Sequence, residues 1–114
     1  MPVTFHDREQ AFEARFARDE EFRFLVHARR DKLFARWAAA RLNISGVEAD
    51  ALVKTVLSIP DGHGHDPALV AMIAALLSAH GLGRGTDLSA VLDHCQLDAQ
   101  AQMAAHPPGS SGRP

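Results

Sequence analysis

The sequence predicts an all-α fold, a small four-helix bundle with a flexible or helical N-terminal arm. Helix-start and helix-stop residues divide the chain into four segments of apolar periodicity. Tyrosine is absent and alternating, strand-like runs are scarce. A length of 114 residues, with 46% hydrophobic and 23% charged content, suits one small domain with a modest core.

The elements follow in order. The first helix starts near Thr4, where Thr4 and Asp7 match a capping box with Asp in place of Glu, and it ends near Leu42. Asn43, which tolerates left-handed backbone, follows as a C-terminal cap. The run SGVE at 45–48 predicts a second capping box, with the Ser45 hydroxyl accepting from the Glu48 amide. That helix stops by Ile59, before Pro60. The third offers Asp66 as N-cap, Pro67 at the first helical position and Gly81 just past the end. The fourth starts at Thr86 or Asp87 and is stopped by Pro107 and Pro108. The tail PPGSSGRP, 107–114, has no means of burying surface and reads as disordered. The domain division is therefore an arm at 1–19, a bundle at 20–106 and a tail at 107–114.

The arm is set apart by a break in helical phase. Five of the six phenylalanines fall within residues 5–24. Phe22, Val26, Leu33, Trp37 and Ala40 lie within roughly 60° of one another at about 100° per residue, with Leu25 at the edge. Phe12 and Phe16 form a pair of their own, and Phe16 sits about 120° from Phe22. One helix cannot turn both sets into one small bundle unless it bends. Either Phe5, Phe12 and Phe16 cover another neighbour or solvent, or residues 1–19 form a separate amphipathic arm that orders itself in a partner's groove. About 15 helical residues reach about 22 Å, far enough to enter a subunit interface.

Charge bounds the partners. The net charge of −2 leaves no basic excess for non-specific nucleic-acid binding. Residues 1–41 nevertheless hold nine of the twelve Lys and Arg. Arg29, Arg30, Lys32, Arg36 and Arg41 make a basic side that is either solvated, complementing the helix C-terminal dipole, or a docking face. The single cysteine, Cys95, excludes an internal disulfide and fits a reducing compartment. No hydrophobic run approaches the roughly 18 residues of a spanning helix, and no secretion-signal pattern opens the chain, so a cytoplasmic home without membrane insertion is expected.

Residues Asp7-Arg8-Glu9, Ala11-Phe12-Glu13, Phe16-Ala17, Asp19-Glu20-Glu21, Arg23-Phe24, Ala28-Arg29-Arg30, Lys32-Leu33 and Trp37-Ala38-Ala39 carry a resemblance over about forty residues without a gap. This stretch resembles the start of the zeta subunit of alphaproteobacterial F-type ATP synthases, a family of small ATPase inhibitors. The resemblance implies a four-helix bundle whose N-terminal segment inserts at a catalytic alpha/beta interface of the ATPase head and contacts the rotor, the gamma subunit. It implies a one-way block on ATP hydrolysis and a location peripheral to the inner membrane in the assembled enzyme. Carried onto this chain, Phe5, Phe12 and Phe16 would be buried anchors, Arg8 and Arg15 would pair with carboxylates, and Glu9 and Glu13 with cationic groups of the partner. Two departures stand out: His6 replaces a common acidic residue, and the third helix is more apolar than the family's. A helix apolar nearly all round is buried or covers a partner, so part of it reads as a docking or self-association face.

Other constellations are weaker. DGHGHD at 61–66 gathers Asp61, His63, His65 and Asp66, suitable in kind for zinc or nickel, but it reads as a solvated loop, so no metal is assigned. GLGRGT at 81–86 lacks the preceding strand and Lys-Ser/Thr ending of a phosphate loop. Gly83, Arg84 and Gly85 still make the best candidate ligand site, for weak nucleotide or phosphate binding. Leu33 and Trp37 read as core, and Cys95, on a stripe with Leu88, Val91, Leu92, Ala99 and Met103, as a buried small hydrophobe. His80 and His94 could meet between helices. No Ser/His/Asp or Cys/His set is spaced for catalysis, no cofactor is called for, and an enzyme is not expected. The alternative to an inhibitor is a small helical nucleotide- or metal-binding module without ATPase-inhibitor activity.

Overall fold

Four helices follow one another as α1 (Phe5–Leu42), α2 (Gly46–Leu57), α3 (His65–Ala79) and α4 (Leu88–Ala105). The computed structural model describes residues 5–105, with side chains from residue 19 onward. The Thr4 cap and the 107–114 tail lie outside the described residues. Among the described residues no strand occurs, as expected, and no helix is long and apolar enough to cross a membrane.

The stop signals at Asn43 and Gly81 act as the sequence implies, that of Pro107 and Pro108 lies outside the described residues, and two of the start signals act differently. Asn43 takes φ 57, and the Ile44 amide reaches back to the Ala39 carbonyl at 3.0 Å while Asn43 bonds Ala40. That is a Schellman closure with Asn at the left-handed position. Gly81, φ 71, closes α3 the same way, with Leu82 donating to Leu77 at 2.8 Å. Asp87 starts α4, its carboxylate accepting from the Ala90 amide at 3.2 Å. Ser45 does occupy the N-cap of α2, but its side chain makes no cap bond. The next residue, Gly46, takes φ 60, and this left-handed step replaces the geometry in which a hydroxyl faces the third amide. Gly64, not Asp66, caps α3. Helix α3 therefore begins two residues earlier than expected, and Pro67 falls third, where its missing N–H still costs no helical bond. Asp66 is left free for a different task.

Helix α1 is the axis of the bundle and lies against all three of the others. Its packed line runs Val26, Arg30, Phe34, Ala38 at four-residue steps, and each of these is buried. The core gathers Phe34, Ala35 and Ala38 from α1, Val56 from α2, Leu69, Ile73 and Leu77 from α3, and Leu88, Leu92 and Cys95 from α4. A second cluster at the other end joins Val26 to Ala99 and Met103, with Phe22, Leu25 and Leu33 against it. The order Val26–Met103, then Leu33 and Trp37 beside Val91 and Cys95, makes α1 and α4 antiparallel.

This packing corrects the expected face. Ala40 is exposed, Trp37 and Leu33 are only partly buried, and the deepest aromatic among the described side chains is Phe34 at 0% exposure. A helix covered by three neighbours buries a wide arc rather than one stripe, so small residues such as Ala35 and Ala38 go inside. Trp37 instead lies parallel to Phe34, ring centroids 6.0 Å apart, under the Arg41 guanidinium at 5.1 Å. Cys95 is buried as expected, and burial pushes its thiol above the ordinary value. Helix α3 buries one line, Leu69–Ile73–Leu77, and its exposed positions include Ala68, Ala71, Ala74 and Ala75. His80 and His94 do not meet. The first bonds the Leu76 carbonyl of its own helix, and the second lies 3.6 Å from Asp98.

Candidate functional site

The arm is carried on the first part of α1. An unbroken helix from Phe5 to Leu42 places residues 5–18 on the same rod as the core positions. Phe5, Arg8, Glu9, Phe12, Glu13, Arg15 and Phe16 all sit on that rod, and their side chains lie outside the described residues. At 1.5 Å per residue the 38 residues of α1 extend about 57 Å, while the 18 of α4 extend about 27 Å. Among the described side chains, Phe22 is the first of α1 to lie against the core. The molecule is correspondingly elongated, 67 × 35 × 22 Å.

Behind the arm, α1 carries a buried polar cluster that ties it to the start of α3. Arg30 donates from Nη1 to Asp66 Oδ2 at 3.2 Å and from Nη2 to Asp66 Oδ1 at 2.7 Å, a two-toothed grip. Its Nε donates to Asp31 Oδ1 at 2.9 Å, and its Nη2 also meets His27 Nε2 at 2.7 Å. His65 Nε2 lies 2.6 Å from Asp31 Oδ2, and His65 Nδ1 lies 3.0 Å from the Pro60 carbonyl. Arg30, Asp31 and His65 are buried, whereas the Asp66 side chain is half exposed. Charged groups survive burial here because each has opposite charge and hydrogen bonds around it. The Arg30 guanidinium holds the Asp66 carboxyl below its ordinary value, outweighing burial, which acts the other way. For Arg30 itself burial favours the uncharged form, but the hydrogen bonds and charges of Asp66 and Asp31 hold it above its ordinary value.

Gly83, Arg84 and Gly85 lie in the connection between α3 and α4, where Gly83 and Arg84, but not Gly85, line an open concavity of about 480 Å³ with Ala74, Leu77, Gly81 and Thr86. Gly83 and Gly85 take φ 85 and 79. A Cβ on Gly83 would stand 3.1 Å from Leu77 Cβ, so backbone shape and close approach alone require glycine there.

A family model described as ATPase inhibitor subunit zeta matches residues 2–102. The chain belongs to this family. No curated protein and no solved structure matches the chain. The match takes in the arm and all but the last turn of α4, so the zeta family accounts for the helices behind residue 60 as well as for the N-terminal motifs.

Within this zeta-family chain, the sequence missed the buried cluster. The charge pattern puts Arg30 on a solvated or docking basic side, yet it is 7% exposed and faces inward. The stretch DGHGHD reads as a solvated loop, yet its His65 is 4% exposed and its Asp66 grips Arg30 instead of capping a helix. A signal was present: Arg30 stands four residues after Val26 and four before Phe34, on the buried line itself.

Proposed function

We propose that this protein inhibits ATP hydrolysis by an F-type ATPase, inserting residues 1–19 at a catalytic alpha/beta interface and reaching the gamma subunit. The bundle from Glu20 onward stays outside and helps to dock the arm. One observation carries this reading: α1 outlasts α4 by about 30 Å in one unbroken helix that begins at Phe5. Family membership supplies the inhibitor role. A helix laid in a groove is recognised through apolar anchors at three- and four-residue steps, which suits Phe12 and Phe16, with Phe5 further out. Arg8, Glu9, Glu13 and Arg15 supply the charges that fix register and orientation. The assembled protein would lie peripheral to the inner membrane, on the enzyme head.

The test is ATP hydrolysis by an F-type ATPase stripped of its own inhibitor, with full-length protein added and then with a chain starting at Glu20. Inhibition by the full-length chain alone supports insertion of the arm. Equal inhibition by both would move the inhibitory element into the bundle and overturn it.

A second reading, a small nucleotide- or phosphate-binding module, is favoured by the concavity beside Gly83, Arg84 and Gly85. Nucleotide titration of the full chain and of Arg84→Ala decides it, since saturable binding abolished by the substitution is required.

A further inference from the structure

His65 sits where α3 begins, 4% exposed, with both ring nitrogens facing acceptors. A backbone carbonyl accepts and never donates, so the contact with Pro60 needs a proton on Nδ1. The Asp31 carboxylate accepts at 2.6 Å, so the contact on the other side needs a proton on Nε2. A neutral imidazole holds one ring proton and satisfies one of these contacts. An imidazolium satisfies both. The ring also lies 4.7 Å from the His27 ring, 3.9 Å from Asp61 Oδ1 and 4.0 Å from Asp66 Oδ1. The charged and titratable groups around it are therefore Asp31, Arg30 and His27 of α1, Asp61 of the connection, and Asp66 of α3. Among the described residues neither α2 nor α4 contributes an ion pair to it.

We infer that His65 is a protonation-dependent clasp, fastening the α2–α3 connection to the middle of α1 while its ring is charged and releasing it when the ring loses a proton. The same atoms do not make a metal centre. Asp31 Oδ1 and His27 Nε2 are both taken by Arg30, and Asp31 Oδ2 is taken by His65. A dication would displace these bonds beside a guanidinium.

The direction of the effect follows from the surroundings. Burial by itself would lower the basicity of His65, but the bond to Asp31, the Pro60 carbonyl and the two neighbouring carboxylates outweigh it, and the ring is held above its ordinary value of 6.5. The clasp is thus complete below about pH 6.5 and is lost as the pH rises through the higher value of the folded state. Loss of one of its two bonds frees the 60–66 connection, which also walls a cleft lined by Phe24, His27 and Leu57.

The test needs no ATPase, so its failure is distinct from failure of the inhibitor reading. In the full-length chain, the ring carbons and nitrogens of His65 are followed by NMR between pH 5 and 9, with the amides of residues 60–66. The expected result is a His65 midpoint above 6.5, with the amides shifting at that same midpoint. Urea unfolding should show the folding equilibrium falling with pH in this window, by up to about tenfold per pH unit. His65→Gln should flatten that slope, and Asp31→Asn should lower the His65 midpoint. A His65 midpoint at or below 6.5, or amides that ignore it, overturns the clasp even if neither variant folds.

Discussion

Asp31 is 2% exposed and answers two cations at once, Arg30 through one oxygen and His65 through the other. Removing it leaves both positive groups buried without that partner. Asp31→Ala should therefore destabilise the protein by about 3–5 kcal/mol, read from urea midpoints at neutral pH. Asp66 is half exposed, and its grip on Arg30 is partly screened, so Asp66→Asn should cost only about 1 kcal/mol. Its pH signature is opposite to that of His65. A carboxyl held low by Arg30 stabilises above its unfolded value of about 3.8 and ceases to do so as the pH falls through the lower folded value. Asp66→Asn should thus soften acid unfolding and also move the alkaline limb toward lower pH, because the Asp66 carboxylate helps to keep the His65 ring charged. None of this network was legible in the sequence, because its halves lie 34 to 36 residues apart and every member has a commoner life on the surface. What could be read was the spacing that sets Arg30 four residues after Val26 and four before Phe34, on the buried line.

At the scale of elements, the legible signals were the stop signals. Asn43 and Gly81 end their helices by left-handed closures that few other residues adopt, so their identity and their role coincide. Start signals were less faithful. The Ser45 hydroxyl and the Asp66 carboxylate are side chains with alternatives, a left-handed glycine step in one case and a guanidinium in the other. The α3–α4 connection gives a prediction of the same kind. Gly83→Ala forces a Cβ into left-handed backbone and to 3.1 Å from Leu77, whereas Gly85→Ala meets only the backbone strain. The first should cost about 2 kcal/mol and the second about 1, by thermal or urea unfolding. For α1, Phe34→Ala should cost about 3–5 kcal/mol, since Phe34 is fully buried among helices from all parts of the chain. The sequence pointed to Trp37 instead, because periodicity finds the strongest single face and α1 has three neighbours.

For the whole molecule, the phase break in the phenylalanines and the overhang of α1 are two views of one design, a bundle with a rod leading out of it. The sequence disclosed the break through spacing and the family through motifs, and the length of α1 relative to α4 gives the rod its reach. A chain starting at Glu20 retains Phe22, Val26, Phe34 and the whole of α4. It should unfold cooperatively with a stability within about 1 kcal/mol of the full-length chain, measured by far-ultraviolet circular dichroism in urea.

The placement of the end of α4 against the middle of α1 also sets a clock on synthesis. Val26 is covered by Ala99 and Met103, and 73 residues separate Val26 from Ala99. A ribosome adding about 5–20 residues per second takes roughly 4–15 s over that interval. Helices form in about a microsecond, so the nascent chain leaves Val26, with Phe22 and Leu25 beside it, uncovered by α4 for nearly all of that time. During those seconds the emerging protein presents to cellular chaperones a surface that its finished form conceals.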